Sequence, residues 1–217
     1  MQVTINVPDS LRQITLQQYQ KFIKINTEEN QNTHFLLQKM VEIFCDIDLK
    51  DIAKIKYTDV QNIVQHLNKV FDVKTDLVKT FELNGVKFGF IPQLDDMTLG
   101  EYIDLDTYLG DWDNMHKAMA VLYRPIEQER KGKYMIREYE GTDAAPAMLD
   151  MPLDVVMGAM VFFYNLNSEL LTVTLNYLSK EMEADLTLEQ QRVLEESGVG
   201  IRVYMDYLKE ILPSTIR

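Results

Sequence analysis

The amino-acid sequence predicts an α+β fold, predominantly helical, with one or two small antiparallel hairpins packed on helices. Three observations predict it. Four threonines are each followed three positions later by Gln or Glu, the spacing of a helix-starting capping box. An Asn84-Gly85 pair separates two short alternating stretches. A long segment with a broad apolar stripe follows Pro152.

The boxes are Thr15/Gln18, Thr58/Gln61, Thr98/Glu101 and Thr187/Gln190. In each, the Thr hydroxyl can accept from an orphan N–H of the first turn, and the Gln or Glu can reach back to the Thr N–H. Helices are therefore predicted to start near 16, 59, 99 and 188. Ile14 with Tyr19, and Met97 with Tyr102, have the spacing of a hydrophobic staple. The first and third starts resemble each other more widely. Leu11-Arg-Gln-Ile-Thr-Leu-Gln-Gln-Tyr-Gln-Lys-Phe22 recurs 83 positions later as Leu94-Asp-Asp-Met-Thr-Leu-Gly-Glu-Tyr-Ile-Asp-Leu105. Convergence of stapled capping boxes is preferred over duplication, and two copies are too few for a solenoid.

Between these starts the period changes from helical to alternating. Residues 79–83 and 86–90 flank Asn84-Gly85, where a type I′ turn needs positive φ at both central positions. Phe81, Leu83, Phe88 and Phe90 give this ribbon one apolar face. A second hairpin joins 121–127 to 133–139 through Lys131-Gly132, and Pro125 restricts its first strand to an edge or a bulge. After a loop over 140–151, Pro152 suits a first helical turn, and a helix should run from Leu153 to about Met182. Its stripe holds Val155, Val156, Met160, Phe163, Leu166, Leu170, Leu171, Thr174, Leu175 and Leu178, broad enough to be buried on more than one side. Gly158 and Ala159 would let a neighbour approach closely. Gly198-Val-Gly200 reads as a turn before a last helix over 201–212. With no linker-like stretch, the expected organisation is one compact domain over 1–217. A helical N-terminal lobe would occupy 1–76, and a hairpin-and-helix core 77–217.

Composition removes several function classes. Hydrophobic residues make up 46% and charged residues 26%, as in globular proteins. The net charge of −12 comes from 34 acidic against 22 basic side chains, which disfavours direct contact with a nucleic-acid backbone. The basic run Arg130-Lys131-Gly132-Lys133 reads as a solvated hairpin tip. Cys45 is the one cysteine, so no internal disulfide is expected, and a buried inert thiol is. No basic stretch followed by an apolar core opens the sequence, so no leader peptide is expected. The most apolar run, 155–164, is ten residues, about half of what a bilayer-spanning helix needs.

The candidate chemistry is thin. Asp104, Asp106, Asp111 and Asp113 invite a metal reading, but an EF-hand loop from Asp104 would need glycine at 109 and Glu at 115, where Leu109 and Met115 stand. A different carboxylate site that activates water is the weaker reading; acidic helix starts, Asp111 among them, are the plainer one. None of His34, His66 and His116 has a second ligand at zinc spacing, and His116 reads as a surface partner of Asp113. No nucleophile motif, P-loop or dinucleotide fingerprint occurs, so neither an enzyme nor a cofactor is expected. Met148, Met151, Met157 and Met160 read as core, and Trp112, between two aspartates, as a partly exposed aromatic.

One stretch is distinctive: Met97-Thr-Leu-Gly-Glu-Tyr-Ile-Asp-Leu-Asp-Thr-Tyr108, then Asp111-Trp112 and His116-Lys-Ala-Met-Ala-Val-Leu-Tyr-Arg-Pro125. With Ile14-Thr-Leu-x-x-Tyr-x-x-Phe22 and Pro152-Leu-Asp-Val-Val-x-Gly-Ala-Met-Val-Phe-Phe-Tyr164, it resembles uncharacterised proteins encoded among the virion and assembly genes of tailed phages, including the crAss-like group. The resemblance implies a non-enzymatic structural, packaged or assembly-chaperone protein. Its partners would be other phage proteins, with itself as a homo-oligomer among them, and neither nucleic acid directly nor a membrane. It would reside in the host cytoplasm during assembly, or in the virion. The expected contact region is 104–125, with Asp104, Asp106, Trp112, His116, Tyr123 and Arg124 as its residues. Two alternatives stand beside it: a metal-dependent hydrolase using the aspartates, and an acidic inhibitor of a host protein.

Overall fold

In a computed structural model the described residues are 5–182, apart from 28, 31, 32 and 144. The Thr187/Gln190 box, Gly198-Val-Gly200 and the helix expected over 201–212 lie outside them. The fold is α+β and predominantly helical. Helices α1 (Leu16–Ile25), α2 (His34–Cys45), α3 (Leu49–Ile52) and α4 (Tyr57–Phe71) come first, then strands β1 (Thr80–Leu83) and β2 (Val86–Phe90). Helices α5 (Leu99–Tyr108) and α6 (Met115–Leu122) lead into β3 (Tyr123–Arg130) and β4 (Lys133–Ile136), and α7 (Leu153–Met182) follows. The two predicted hairpins join into one antiparallel sheet, in the order β1-β2-β3-β4.

Capping chemistry sets the start of α1 and α5. Thr15 Oγ1 accepts from Gln18 N at 3.2 Å while Gln18 Oε1 accepts from Thr15 N at 2.9 Å. Thr98 and Glu101 do the same, at 3.3 and 2.6 Å. Each helix is ten residues long and follows a short 3-10 turn, Leu11–Gln13 or Leu94–Asp96, so the two similar sequence units share a local shape. Their surroundings differ. Ile14 and Leu16 are fully buried, whereas Leu99 and Tyr102 stand out in solvent, so Met97 and Tyr102 form no buried staple.

The predicted Thr58/Gln61 box does not form. Helix α4 starts at Tyr57 with Lys56 as its cap, and the Lys56 carbonyl accepts from Asp59 N and Val60 N. Val60, Val64, Leu67 and Val70 share the face turned to the core, and Asp59 stands in the first turn, where a carboxylate suits the helix dipole. Helix α2, unmarked by a box, is capped by Thr33 alone, which accepts from Leu36 N at 3.2 Å.

Helices α1, α2 and α4 share an aromatic group in which Phe44 meets Phe22 at 5.2 Å and Phe71 at 5.0 Å. Burial raises the Tyr19 hydroxyl to about 12 and the Cys45 thiol to about 11, so both stay protonated at neutral pH. One continuous buried cluster runs from Leu11 to Met160 and is shared by the helical half and the sheet.

Both hairpin turns have the positive φ they need, at Asn84 and Gly85 and at Lys131 and Gly132. Strand β3 begins at 123 rather than 121, because α6 continues through buried Val121 and Leu122 directly into it. Pro125 is neither on an edge strand nor at the bulge, which lies between Ile126 and Gln128. It ends the pairing of β3 with β2, opposite Phe88, and β4 pairing begins at Ile126. A missing N–H is tolerated where the strand changes neighbours. On the opposite sheet face Gly89 is covered by the Tyr134 ring, whose hydroxyl donates to the Phe90 carbonyl at 2.8 Å.

The start of α7 is strapped to the start of α1. Leu16 N donates to the Met151 carbonyl and Leu153 N to the Ile14 carbonyl, each at 2.9 Å. Of the stripe residues described, Val155, Val156 and Met160 are buried as expected, Phe163 and Leu166 are half-buried, and Leu170 is exposed. The predicted close approach occurs at Gly158, where an added Cβ would lie 2.2 Å from the Asp76 carbonyl oxygen. No described helix is long and apolar enough to cross a membrane.

Two substitutions test this packing. Gly158→Ala forces a methyl group against the Asp76 backbone and should cost about 1–3 kcal/mol, lowering the melting temperature by several degrees. Gly100→Ala, whose added Cβ would meet Tyr139 only at 4.0 Å, should raise stability by up to about 1 kcal/mol. Thermal unfolding followed by circular dichroism measures both.

Candidate protein-interaction surface

The three segments that the sequence singles out, 14–22, 97–125 and 152–164, are neighbours in space. Besides the strap between α1 and α7, Gln20 Nε2 donates to the Trp112 carbonyl at 2.6 Å. Tyr19 meets the Trp112 ring edge-on at 5.0 Å. Trp112 is thus half-buried, a packing residue at the junction of α1 with the turn before α6.

The residues expected to form the contact have different fates. Tyr123 is 0% exposed, surrounded by Phe81 and Phe90, with its hydroxyl donating to the Val78 carbonyl at 2.8 Å. It belongs to the core and offers no contact surface. Arg124 is 12% exposed and pairs through Nη2 with Glu101 Oε1 at 2.5 Å. His116 is half-buried, and its Nδ1 has no hydrogen-bond partner among the described residues. Asp104 is half-buried and accepts from the Tyr139 hydroxyl. Of the six, only Asp106 is fully at the surface.

Sequence reasoning missed the centre of this region, Glu101. It is 4% exposed and does two jobs, closing the capping box of α5 and neutralising Arg124 from β3. The Arg124 guanidinium lies 5.7 Å from the centroid of the Tyr139 ring, and Tyr139 in turn holds Asp104 on the next turn of α5. Burial and the bond to Asp104 push the Tyr139 hydroxyl above its ordinary value, so it remains a donor at neutral pH. Two carboxylates of α5 are therefore tied to β3 and to the chain after β4. A hint was present in the sequence: the residue that closes this box is a charged Glu, where the other three boxes have Gln.

Tying one side of α5 down presents the other. Leu99, Tyr102 and Ile103 are 74, 59 and 52% exposed. Their spacing puts them on one helical face, an apolar stripe with no described covering.

The four aspartates do not gather. Asp104 serves Tyr139, Asp113 pairs with Lys24 at 3.0 Å, and Asp111 accepts from Asn114 Nδ2 at 2.6 Å and Asp113 N at 3.0 Å. Asp111 thus closes the turn before α6 rather than capping it, since that helix starts at Met115. The expected Asp113–His116 pair is replaced by the Lys24 contact. Among the described residues no group of three His, Cys, Asp or Glu could hold a metal.

Two predictions follow from the electrostatics. Glu101→Gln keeps the cap acceptor but leaves Arg124 unpaired, and should cost about 3 kcal/mol in denaturant unfolding; Glu101→Gln with Arg124→Met should cost less than the two changes added. Burial and neighbouring Lys117 lower the His116 pKa, against a smaller opposing pull from Asp111. The unfolded chain then takes up a proton that the folded chain resists. His116 contributes fully above the unfolded value of about 6.5, and the contribution is lost as pH falls below it. His116→Gln should shrink the fall in melting temperature between about pH 7.5 and 5.5.

No family model matches the chain, nor does any curated protein or solved structure.

Proposed function

We propose that the chain is a non-enzymatic virion structural, packaged or assembly-chaperone protein of a tailed phage that acts through protein–protein contacts. The observation that carries this reading is the uncovered apolar stripe Leu99, Tyr102 and Ile103 on a helix held in place from behind by Glu101, Arg124, Tyr139 and Asp104. Exposed apolar groups on a fixed helix suit recognition, because little order has to be imposed when a partner arrives. The stripe lies within the longest of the segments that resemble phage virion and assembly proteins, which supports the setting. The metal-dependent hydrolase draws no support from the aspartates, three of which are occupied by separate neighbours.

The reading is tested by gradient fractionation of cells producing the phage, with the chain followed by antibody. It should sediment with particles or with assembly intermediates containing other phage proteins. A chain that stays at its own mass of 25.3 kDa throughout, with no phage protein beside it, would overturn the proposal.

A further inference from the structure

We propose that the outward face of α5 binds a partner protein whose contact patch is apolar at its centre and ringed by Lys or Arg. The inference rests on reading the chain as a protein that works by protein contacts, and it names the chemistry of the partner. Leu99, Tyr102 and Ile103 form the apolar centre. Asp106 lies one turn beyond on the same helix, and Asp95 and Asp96 lie on the 3-10 turn leading into it; all three are exposed. None of the three makes an ion pair with a described residue. The inward acids of the same helix, Glu101 and Asp104, are held by Arg124 and Tyr139. Charge has been matched on the inner side of α5 and left open on the outer one.

The sequence reinforces this sign. Between Lys87 and Lys117 no Lys or Arg occurs, while seven Asp and Glu do. A partner's basic rim would meet that field favourably, which steers encounter and fixes register more than it adds affinity. Other occupants fit less well. A symmetric contact between two copies would bring Asp106 of one towards Asp95 and Asp96 of the other, placing like charges together. A nucleic acid or an anionic membrane surface would meet the same repulsion.

The test uses the full chain and a fluorescent helical peptide of about 18 residues, with Leu on one face and Lys flanking it, beside a counterpart carrying Glu for Lys. Fluorescence anisotropy should show saturable one-to-one binding of the Lys peptide and none of the Glu peptide. Leu99→Ser with Ile103→Ser should weaken binding at least about tenfold, while Met135→Ser, at an exposed apolar position on β4, leaves it within about twofold. Asp95→Asn, Asp96→Asn and Asp106→Asn together should also weaken it and flatten its dependence on salt. These positions are at the surface, so the variants should fold, and circular dichroism verifies it. Equal binding of the Lys peptide by the folded Leu99/Ile103 variant, or equal binding of the Glu peptide, overturns the proposal. A wild-type dimer that the same variant turns into a monomer also overturns it, by making a second copy the occupant. Sedimentation with phage proteins that survives the Leu99/Ile103 change removes this surface but keeps the phage reading. Failure to sediment with any phage protein removes that reading, whatever the peptide does.

Discussion

The buried ion pair between Glu101 and Arg124 organises the second half of the fold. It joins the first turn of α5 to the first residues of β3, two elements separated in the chain by all of α6. A charge placed in a nearly dry site is costly alone, so each partner makes the other tolerable and neither can be removed cheaply. The pair therefore serves position more than net stability. Because Glu101 also completes the Thr98 capping box, the same carboxylate sets where α5 begins and which way it faces. Tyr139 extends the arrangement by one helical turn through Asp104.

The helical half is held by different means. There the cap at Thr15, the backbone strap between the starts of α1 and α7, and the aromatic group around Phe44 and Phe71 act together. The two halves meet where Gln20 reaches the Trp112 carbonyl and where Gly158 lets α7 lie against the Asp76 backbone. Both contacts need small or shape-matched groups. Local sequence signals and long-range packing thus converge on the same few residues, the consistency expected of a sequence that specifies one structure.

Much of the fold was legible because its signals are local. Thr15/Gln18, Thr98/Glu101, Asn84-Gly85 and the span Leu153–Met182 each stand where the sequence places them. What could not be read depends on distant partners. Thr58 has the right neighbour for a cap, but α4 starts at Tyr57, so Thr58 already lies inside the first turn. Pro125 by its own chemistry calls for an edge or a bulge, and an interior strand accepts it because β3 changes neighbours there. Among the site residues, Tyr123 and Arg124 look like surface aromatics and charges in a list of residues. In the fold both point into packed surroundings, because α6 passes into β3 without a loop. The exposed stripe of α5 was missed because apolar residues at helical spacing ordinarily mean core.

The central claim is that α5 turns its apolar face outward for another protein. A photo-crosslinking amino acid at position 103, compared with one at exposed Met135 on β4, tests it most directly, in cells producing the proposed phage. The account predicts a discrete adduct at 103 with a phage-encoded protein rich in Lys or Arg near the linked peptide, and none at 135. Adducts at 135 with none at 103 would contradict it.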